Sequence, residues 1–274
     1  MNPLNYHSSC HNTHIGAYVI TCNKTRHRLP ILIDNLQGSS LEPVLVTNFD
    51  EDYLPIHIYK PSLWNKHYSK ISSILVANLV AMRGTEAEIP QVIRDGPPRT
   101  LKSSELSLSA KILWSFYHSI ANSFKYTLIM EDDISIDRNS DIPSKKLGIN
   151  LDKIITASVN MNSDFCDIGS LPFFSQDWIA RHPFSGSTLS NNLYSTKVML
   201  TRSTCCFLIS NRLLEFIFSN TRIEYALPID FHLQYLLSLA DGLKPSFFKG
   251  MWCNTGLFVN SSLNAPKDKR MSSL

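Results

Sequence analysis

A strand, a helix and a second strand follow one another between residues 17 and 49, and this order restricts the fold more than any other feature. The β-branched run AYVIT at 17–21 predicts a buried strand, and EPVLVTNF at 42–49 predicts a second one. Between them, residues 26–38 predict a helix with Pro30 in its first turn and Gly38 at its end. Two strands joined by a helix at this spacing form a parallel βαβ unit, so we expect an α/β fold.

The remaining periodic segments extend this pattern along most of the 274 residues. We expect one domain at 15–263, with a flexible N-terminus at 1–14 and a flexible tail at 264–274. Residues 153–161 fit a helix or a strand equally well, and the polar, aromatic stretch at 171–197 predicts a long functional loop. Apolar periodicity predicts helices at 69–83, 103–124, 211–220 and 228–242, and strands at 126–130 and 205–210.

Composition excludes several classes of protein. Apolar residues make up 43% and charged residues 18%, as in soluble globular domains, and the net charge of +3 is too small and too scattered to indicate nucleic-acid binding. No apolar run is long enough for a membrane span, and the N-terminus lacks the apolar core of a signal peptide. The six cysteines form no CxxC pair, so we expect reduced thiols. We therefore expect a cytoplasmic protein that can associate peripherally with the inner face of the membrane.

Three consecutive acids follow the apolar strand 126–130 directly: Glu131, Asp132 and Asp133. Ligands of α/β proteins collect at the carboxyl ends of strands, and carboxylates this close repel one another unless a counter-charge or water lies between them. A divalent cation with oxygen ligands is a natural counter-charge. Alternation along an extended segment places Glu131 and Asp133 on one face and turns Asp132 elsewhere. The alternative is a solvated turn between strand and loop.

Four stretches together resemble glycosyltransferase family 25, the lipooligosaccharide and collagen galactosyltransferases. YTLIMEDDISI matches the L-I-L-E-D-D strand end of that family, and AYVITCNKTRHR is similar to its opening strand and arginine-rich turn. ELSLSAKILW resembles its G-C-x-x-S-H-x-x-x-W helix, although Ala110 stands in place of the histidine. TCCFLISNRLLEFI followed by LPIDFHL resembles its T-x-x-Y-x-I-S segment and P-V-D, and FCDIGS at 165–170 echoes the W-D-I-x-x-L-G segment between them.

The resemblance implies a GT-A-like, Rossmann-type mixed sheet flanked by helices, and an enzyme that uses a UDP-sugar. It implies Mn²⁺ (or Mg²⁺) held by Glu131 and Asp133, with Asp132 toward the donor. The implied reaction is an inverting transfer, of galactose in most relatives, to a glycan or glycolipid acceptor such as lipopolysaccharide. Inversion in a single displacement requires a base for the acceptor hydroxyl. The P-I-D match gives that role, or acceptor binding, to Asp230.

Other candidates follow the first strand. Thr21, Asn23, Arg26 and Arg28 lie where a nucleotide would bind, and arginine suits a diphosphate because it offers paired donors. Thr21 and the cysteine after it replace the family's usual Asn–Leu, and a solvated loop is the alternative interpretation.

Two other functions stay open. A sugar-binding or nucleotide-binding relative without turnover is compatible with the altered first motif and with the missing histidine. A metal-dependent phosphohydrolase is compatible with acids at a strand end, but no acidic motif of the DxD type follows the first strand.

Overall fold

An eight-stranded mixed sheet with helices on both faces forms the centre of the protein. This computed structural model describes the following residues: 14–53, 102–136, 147–169, 188–189, 193–196, 199, 201, 204–221, 229–253 and 258–260. The predicted helix at 69–83, the N-terminal residues 1–13 and the tail at 264–274 lie outside these ranges, and the domain boundaries at 15 and 263 stay predictions.

The strands and helices are numbered here in chain order. The strands are β1 Ile15–Ile20, β2 Val44–Val46, β3 Tyr126–Glu131, β4 Ile134–Ile136, β5 Phe165–Asp167, β6 Thr188–Leu189, β7 Leu193–Thr196, β8 Cys206–Ser210, β9 Gly250–Cys253 and β10 Phe258–Asn260. The helices are α1 Leu29–Asn35, α2 Ser103–Ala121, α3 Leu147–Asn160, α4 Asn211–Asn220 and α5 Ile229–Leu243, with 3-10 turns at Asn23–Arg28 and Glu51–Tyr53.

The strand order in the large sheet is β2-β1-β3-β8-β5-β9-β7-β6. Strand β1 pairs in parallel with both β2 and β3, so the predicted βαβ unit is confirmed. Strand β8 runs antiparallel to β3 and β5, while β9 runs parallel to β5. Strands β4 and β10 form a separate antiparallel ribbon. The predicted α/β class, a Rossmann-type mixed sheet flanked by helices, is confirmed.

Alternate side chains of the sheet enter two apolar cores. On one face, residues such as Leu128 and Leu208 pack against α1 and α3. On the other face, residues such as Ile129 and Phe207 pack against α2, α4 and α5. Helices on both faces leave the strands apolar along their whole length, which explains why the strand segments read as continuous apolar runs rather than as alternating ones. Among the described residues, none of the helices combines the length and apolarity that crossing a membrane requires.

The first helix differs from its prediction in phase. The sequence predicts Leu29, Ile33 and Leu36 on its buried face, but Ile33 is 55% exposed and Leu32 takes its place. The reason is the 3-10 turn at Asn23–Arg28, because α1 then begins only at Leu29. Gly38, with φ of 82°, ends this segment in a conformation that glycine adopts without strain.

Several other elements differ from their predictions in extent. Only Val44–Val46 of the segment 42–49 is a strand, and residues 153–161 prove helical as part of α3. The stretch 171–197 is not wholly irregular, because β6 and β7 pair within it. In α2, Tyr117 is 56% exposed although the periodicity predicts it on the buried face, where Phe116 lies instead.

A buried asparagine, Asn211, joins α2, β3 and α4 through the hydrogen bonds of its side chain. The side-chain amide of Asn211, at the start of α4, donates to the carbonyl of Phe124 at 2.7 Å and to the Ser119 hydroxyl at 3.0 Å. Its carbonyl oxygen accepts from the Thr127 hydroxyl at 2.6 Å. Because Asn211 is 4% exposed, water cannot replace these partners.

We expect Asn211→Ala to lower the free energy of unfolding by about 2 to 3 kcal/mol, because the Phe124 carbonyl and the Thr127 hydroxyl lose a buried partner. Urea unfolding measures this change. Asn220→Ala on the exposed end of the same helix is the control, with an expected effect within about 0.5 kcal/mol. Equal effects of the two substitutions would contradict the structural role of Asn211.

Candidate functional site

The carboxyl ends of β1 and β3 meet at one edge of the sheet. Ile20, the last residue of β1, lies opposite Glu131, the last residue of β3. The amide of Asp132 donates to the carbonyl of Ile20 at 3.0 Å, and the amide of Thr21 donates to the carbonyl of Val46 at 3.3 Å. These bonds hold the segments after β1, β2 and β3 against one another, so side chains from three distant parts of the sequence share one site.

Asp132 turns toward the segment that follows β1. Its Oδ2 accepts from the Thr21 hydroxyl at 2.7 Å and from the Thr25 hydroxyl, and its Oδ1 lies 3.5 Å from the Arg28 guanidinium. The residue is 8% exposed. The sequence predicts that Asp132 points away from its two acidic neighbours, and the structure places it against Thr21 and Arg28, two residues predicted to bind the donor.

Glu131 and Asp133 flank Asp132 in sequence and line the same cavity. A guanidinium nitrogen of Arg28 lies 3.8 Å from Asp133 Oδ2. The Thr204 hydroxyl donates to Glu131 Oε1. Burial first, and the charge of Asp133 after it, raise the pKa of Glu131 to about 8, while the Thr204 hydrogen bond acts in the opposite direction. Glu131 and Asp133 therefore do not both ionise at neutral pH unless a cation offsets their charge.

Asp230 is close enough to Glu131 to act on it electrostatically. It lies in the first turn of α5 and is half-buried. Its negative charge contributes to the raised pKa of Glu131, after the effects of burial, Asp133 and Thr204. The structure thus brings together two acidic positions that lie about a hundred residues apart in the sequence. His232, by contrast, is 6% exposed, and burial lowers its pKa to about 4, as expected for a histidine of the core.

A second carboxylate with a buried cationic partner lies beside the acidic triplet. Lys111 of α2 is 2% exposed and donates to Asp50 Oδ1 and, at 2.7 Å, to the carbonyl of Thr21. Asp50 Oδ2 accepts from the backbone N–H of Asn23 at 3.0 Å. Burial alone would raise the pKa of Asp50, but the hydrogen bonds from Lys111 and Asn23 outweigh it and hold that pKa below its ordinary value. Asp50 is therefore ionised and fixed in orientation.

The triplet, Arg28, Asp50, Lys111 and Ser107 line a cavity of about 360 Å³. Volumes of this order are typical of small-molecule sites. Among the described residues that line it, the cations are Lys24, Arg28 and Lys111, and six carboxyl groups oppose them: Asp50, Glu51, Asp52, Glu131, Asp132 and Asp133. An anionic ligand would meet net repulsion here unless a cation accompanied it.

The donor chemistry of this edge fits a hard divalent cation. Glu131 and Asp133 offer carboxylate oxygens, which Mn²⁺ and Mg²⁺ prefer, and a cation among them would offset the repulsion that raises the pKa of Glu131. Among the described residues, no group of three or more His, Cys, Asp or Glu is already arranged to hold a metal ion. A bound ion would therefore take part of its coordination from its ligand or from water.

Several residues of the site are not predicted from the sequence, namely Thr25, Asp50, Lys111 and Thr204. Only Lys111 could have been suspected from the sequence, because it falls between Ala110 and Ile112 on a predicted helix whose buried face is otherwise apolar. A lysine there requires a buried partner. Ala110, which replaces the histidine of the family motif, is 3% exposed in the core. His118, two turns further along α2, contacts Tyr18 and Trp114 and is not among the described residues that line the cavity, so it does not replace that histidine there.

Comparison with known proteins gives little support for a family. No family model matches the chain, and no curated protein matches it. Among solved structures, the chain is similar to core-mannan synthase A from Aspergillus fumigatus in its Mn/GDP form. The identity is 13%, the TM-score is 0.27, and the match covers 86% of this chain and 68% of that one. We draw nothing about the site from a likeness at this TM-score. The resemblance to glycosyltransferase family 25 stays a prediction.

A further acidic group is buried at the end of β5. Asp167 is 3% exposed, and burial raises its pKa to about 8, against the effect of hydrogen bonds from the Thr201 hydroxyl and the Gly169 amide. Within the described part of the chain, its Oδ1 accepts no hydrogen bond. It belongs to FCDIGS, the segment that echoes a family motif, and the structure gives it the environment of a neutral carboxylic acid.

We expect Asp167→Asn to stabilise the protein much more at pH 8.5 than at pH 5. An ordinary aspartate in the unfolded chain titrates near pH 4, so the proton that the folded state retains costs stability as pH rises from about 4 to 8. An asparagine mimics the neutral acid and removes this cost. Melting temperatures at both pH values measure the effect, with the exposed Asp34→Asn as control. A gain equal at both pH values would contradict the raised pKa.

Proposed function

We propose that this protein is a metal-dependent glycosyltransferase that moves a sugar from a UDP-sugar to a glycan acceptor. The observation that carries the proposal is that the acidic triplet and Arg28 line a cavity of small-molecule size, with Asp230 near enough to Glu131 to raise its pKa. Two parts of a nucleotide sugar suit this site: the nucleoside would fill the cavity, and the diphosphate would bind at the edge that holds the cation.

Donor binding divides among the residues of the first loop and the triplet. Arg28 lies 31% exposed beside Asp132 and Asp133, so its guanidinium can turn toward a diphosphate without leaving this edge. Glu131 and Asp133 would hold Mn²⁺ (or Mg²⁺), and that ion, when bound, supplies Lewis-acid stabilisation of the departing diphosphate. Thr21 and Asp132 hold the loop in place through their mutual hydrogen bond. The backbone N–H of Asn23 donates to Asp50 and so helps to fix the same loop.

Asp230 is the proposed general base of an inverting transfer. A carboxylate oxygen of Asp230 takes the proton of an acceptor hydroxyl, whose oxygen forms the new bond to the anomeric carbon. The bond from that carbon to the diphosphate oxygen breaks at the same time, and the diphosphate leaves with the electron pair. Asp230 lies near the triplet, where its charge acts on Glu131, so an acceptor hydroxyl beside the donor would be within reach of its carboxylate.

The finer assignments follow the family resemblance. The donor we propose is UDP-galactose, and the acceptor is a surface glycan or glycolipid such as lipopolysaccharide. An acceptor of this kind is assembled at a membrane, so the proposal includes peripheral association with the inner face of the membrane and a cytoplasmic location.

A relative that binds a nucleotide sugar without turnover is the second candidate. Arg28 already pairs with Asp132 and Asp133, so part of the negative charge is offset without a metal. Such a protein would bind UDP-sugars but would release no UDP.

We expect Asp133→Asn and Glu131→Gln each to reduce Mn²⁺-dependent release of UDP from UDP-galactose by about 100-fold or more, because each removes a carboxylate ligand. Coupled detection of UDP, with and without an acceptor glycan, measures the loss. Asp34→Asn is the matched control, since it makes the same chemical change on an exposed face of α1.

Three outcomes separate the candidates. Turnover in the wild type that both substitutions abolish supports the transferase. A rise in melting temperature with UDP-galactose and Mn²⁺ but no UDP release indicates the binding relative. Hydrolysis of sugar-free phosphoesters indicates a phosphohydrolase, and no response to any UDP-sugar overturns the proposal.

Cys22 offers an independent test of donor position. It lines the cavity and is partly exposed, whereas the other cysteines of the described ranges are buried: Cys166, Cys205, Cys206 and Cys253. We expect UDP with Mn²⁺ to slow alkylation of Cys22 by iodoacetamide at least about 10-fold at saturation, because the bound nucleotide occupies the cavity. Peptide mass spectrometry measures the rate, and Cys22→Ser confirms the labelled position. An unchanged rate at concentrations that raise the melting temperature would place the nucleotide elsewhere.

A further inference from the structure

We propose that Asp50 binds the ribose of the nucleotide by accepting hydrogen bonds from the two hydroxyls of its vicinal diol, and that Lys111 is the positioning residue for Asp50. The inference rests on the proposed function, because it concerns the nucleoside half of the same donor. It adds a specificity that the metal-binding edge cannot supply, namely the choice of a ribonucleotide over a deoxyribonucleotide.

The hydrogen bonds of Asp50 leave it capacity to accept more. A carboxylate has about four acceptor positions on its two oxygens. The Lys111 ammonium occupies one acceptor position on Oδ1, and the backbone N–H of Asn23 occupies one acceptor position on Oδ2. Each oxygen therefore retains acceptor capacity, and the carboxylate lines the cavity although it is only 5% exposed. Two neighbouring oxygens fixed in this way match two neighbouring O–H donors, which is the arrangement of a ribose diol.

Lys111 fixes the direction in which Asp50 offers those oxygens. Its ammonium group bridges Asp50 and the carbonyl of Thr21, so it joins the loop after β2 to the loop after β1. A lysine buried to 2% exposure is costly unless its charge is paired, and this pairing holds both groups in a single geometry. The structure thus provides a rigid carboxylate rather than a mobile surface one.

The surrounding cavity suits a nucleoside attached to this diol. Ile20 and Leu108 give apolar surface for a base, and Ser104 and Ser107 add hydroxyls along the N-terminal part of α2. The triplet lies in the same cavity, so a diphosphate on the 5′ side of the ribose would point toward Glu131 and Asp133. An acidic residue that follows the second strand of a nucleotide-binding α/β sheet is well placed for a ribose hydroxyl.

The test compares UDP, 2′-deoxy-UDP and 3′-deoxy-UDP by isothermal titration calorimetry in the presence of Mn²⁺. We expect the wild type to bind UDP about 10- to 100-fold more tightly than either deoxy analogue, because each analogue lacks one hydrogen bond to a charged, buried acceptor. We expect this ratio to fall to near one in Asp50→Asn and to shrink in Lys111→Met. Asn211→Ala, which lowers stability away from the cavity, leaves the ratio unchanged and so controls for loss of stability alone.

The outcomes of this experiment separate the inference from the proposed function. Equal binding of UDP and both deoxy analogues by the wild type overturns the inference, even where sugar transfer is observed. Tighter binding of UDP than of its two deoxy analogues, without any sugar transfer, supports the inference and counts against the transferase. Since the wild-type ratio needs no variant, a failure of Asp50→Asn to fold leaves the test intact. A ratio that persists in a folded Asp50→Asn variant excludes Asp50 as the acceptor.

Discussion

The site depends on one electrostatic constraint: carboxylates at the carboxyl edge of the sheet outnumber the cations around them. The pairing of β1 with β3 makes this unavoidable, since it places the end of one strand beside the acidic end of the other. Charges collected in this way must be balanced or protonated. The structure uses both solutions, because Arg28 and Lys111 pair with carboxylates while the pKa of Glu131 rises to about 8.

The loop after β1 divides the carboxylates into two sets. Through its hydroxyl, Thr21 holds Asp132, and through its carbonyl it holds Lys111 and thereby Asp50. Asp132 and Asp50 are consequently fixed by neutral and cationic donors, as parts of a scaffold. Glu131 is not fixed in this way, and burial together with the charge of Asp133 raises its pKa. A reaction that needs an added cation would therefore take place beside Glu131 and Asp133. The fixed carboxylates of Asp50 and Asp132 suit recognition of the ligand instead.

The sequence predicts this architecture where local pattern and final environment agree. The helix at 211–220 and the strand ending at the triplet match their predictions because apolar spacing decides both. The sequence does not predict those features that depend on contacts between residues far apart in the chain or on a turn without its own apolar pattern. The phase of α1 depends on a 3-10 turn, which has no apolar periodicity of its own. Lys111 and Asp50 are 61 residues apart, and neither residue indicates a buried ion pair until the fold joins them. The acidic triplet is visible in the sequence, whereas the counter-charges of the site are not.

The charge of the whole protein and the charge of the cavity have opposite signs, and together they select a ligand. The chain carries a net charge of +3, while the lining of the cavity, in the part of the chain that the structure describes, has six carboxyl groups and three cations. The long-range field weakly attracts an anion, but the local field repels it at the point of contact. A free nucleoside diphosphate would therefore bind poorly, and its complex with a divalent cation would bind well. Within the proposed function, metal dependence is thus a condition for the entry of the donor as well as for its reaction.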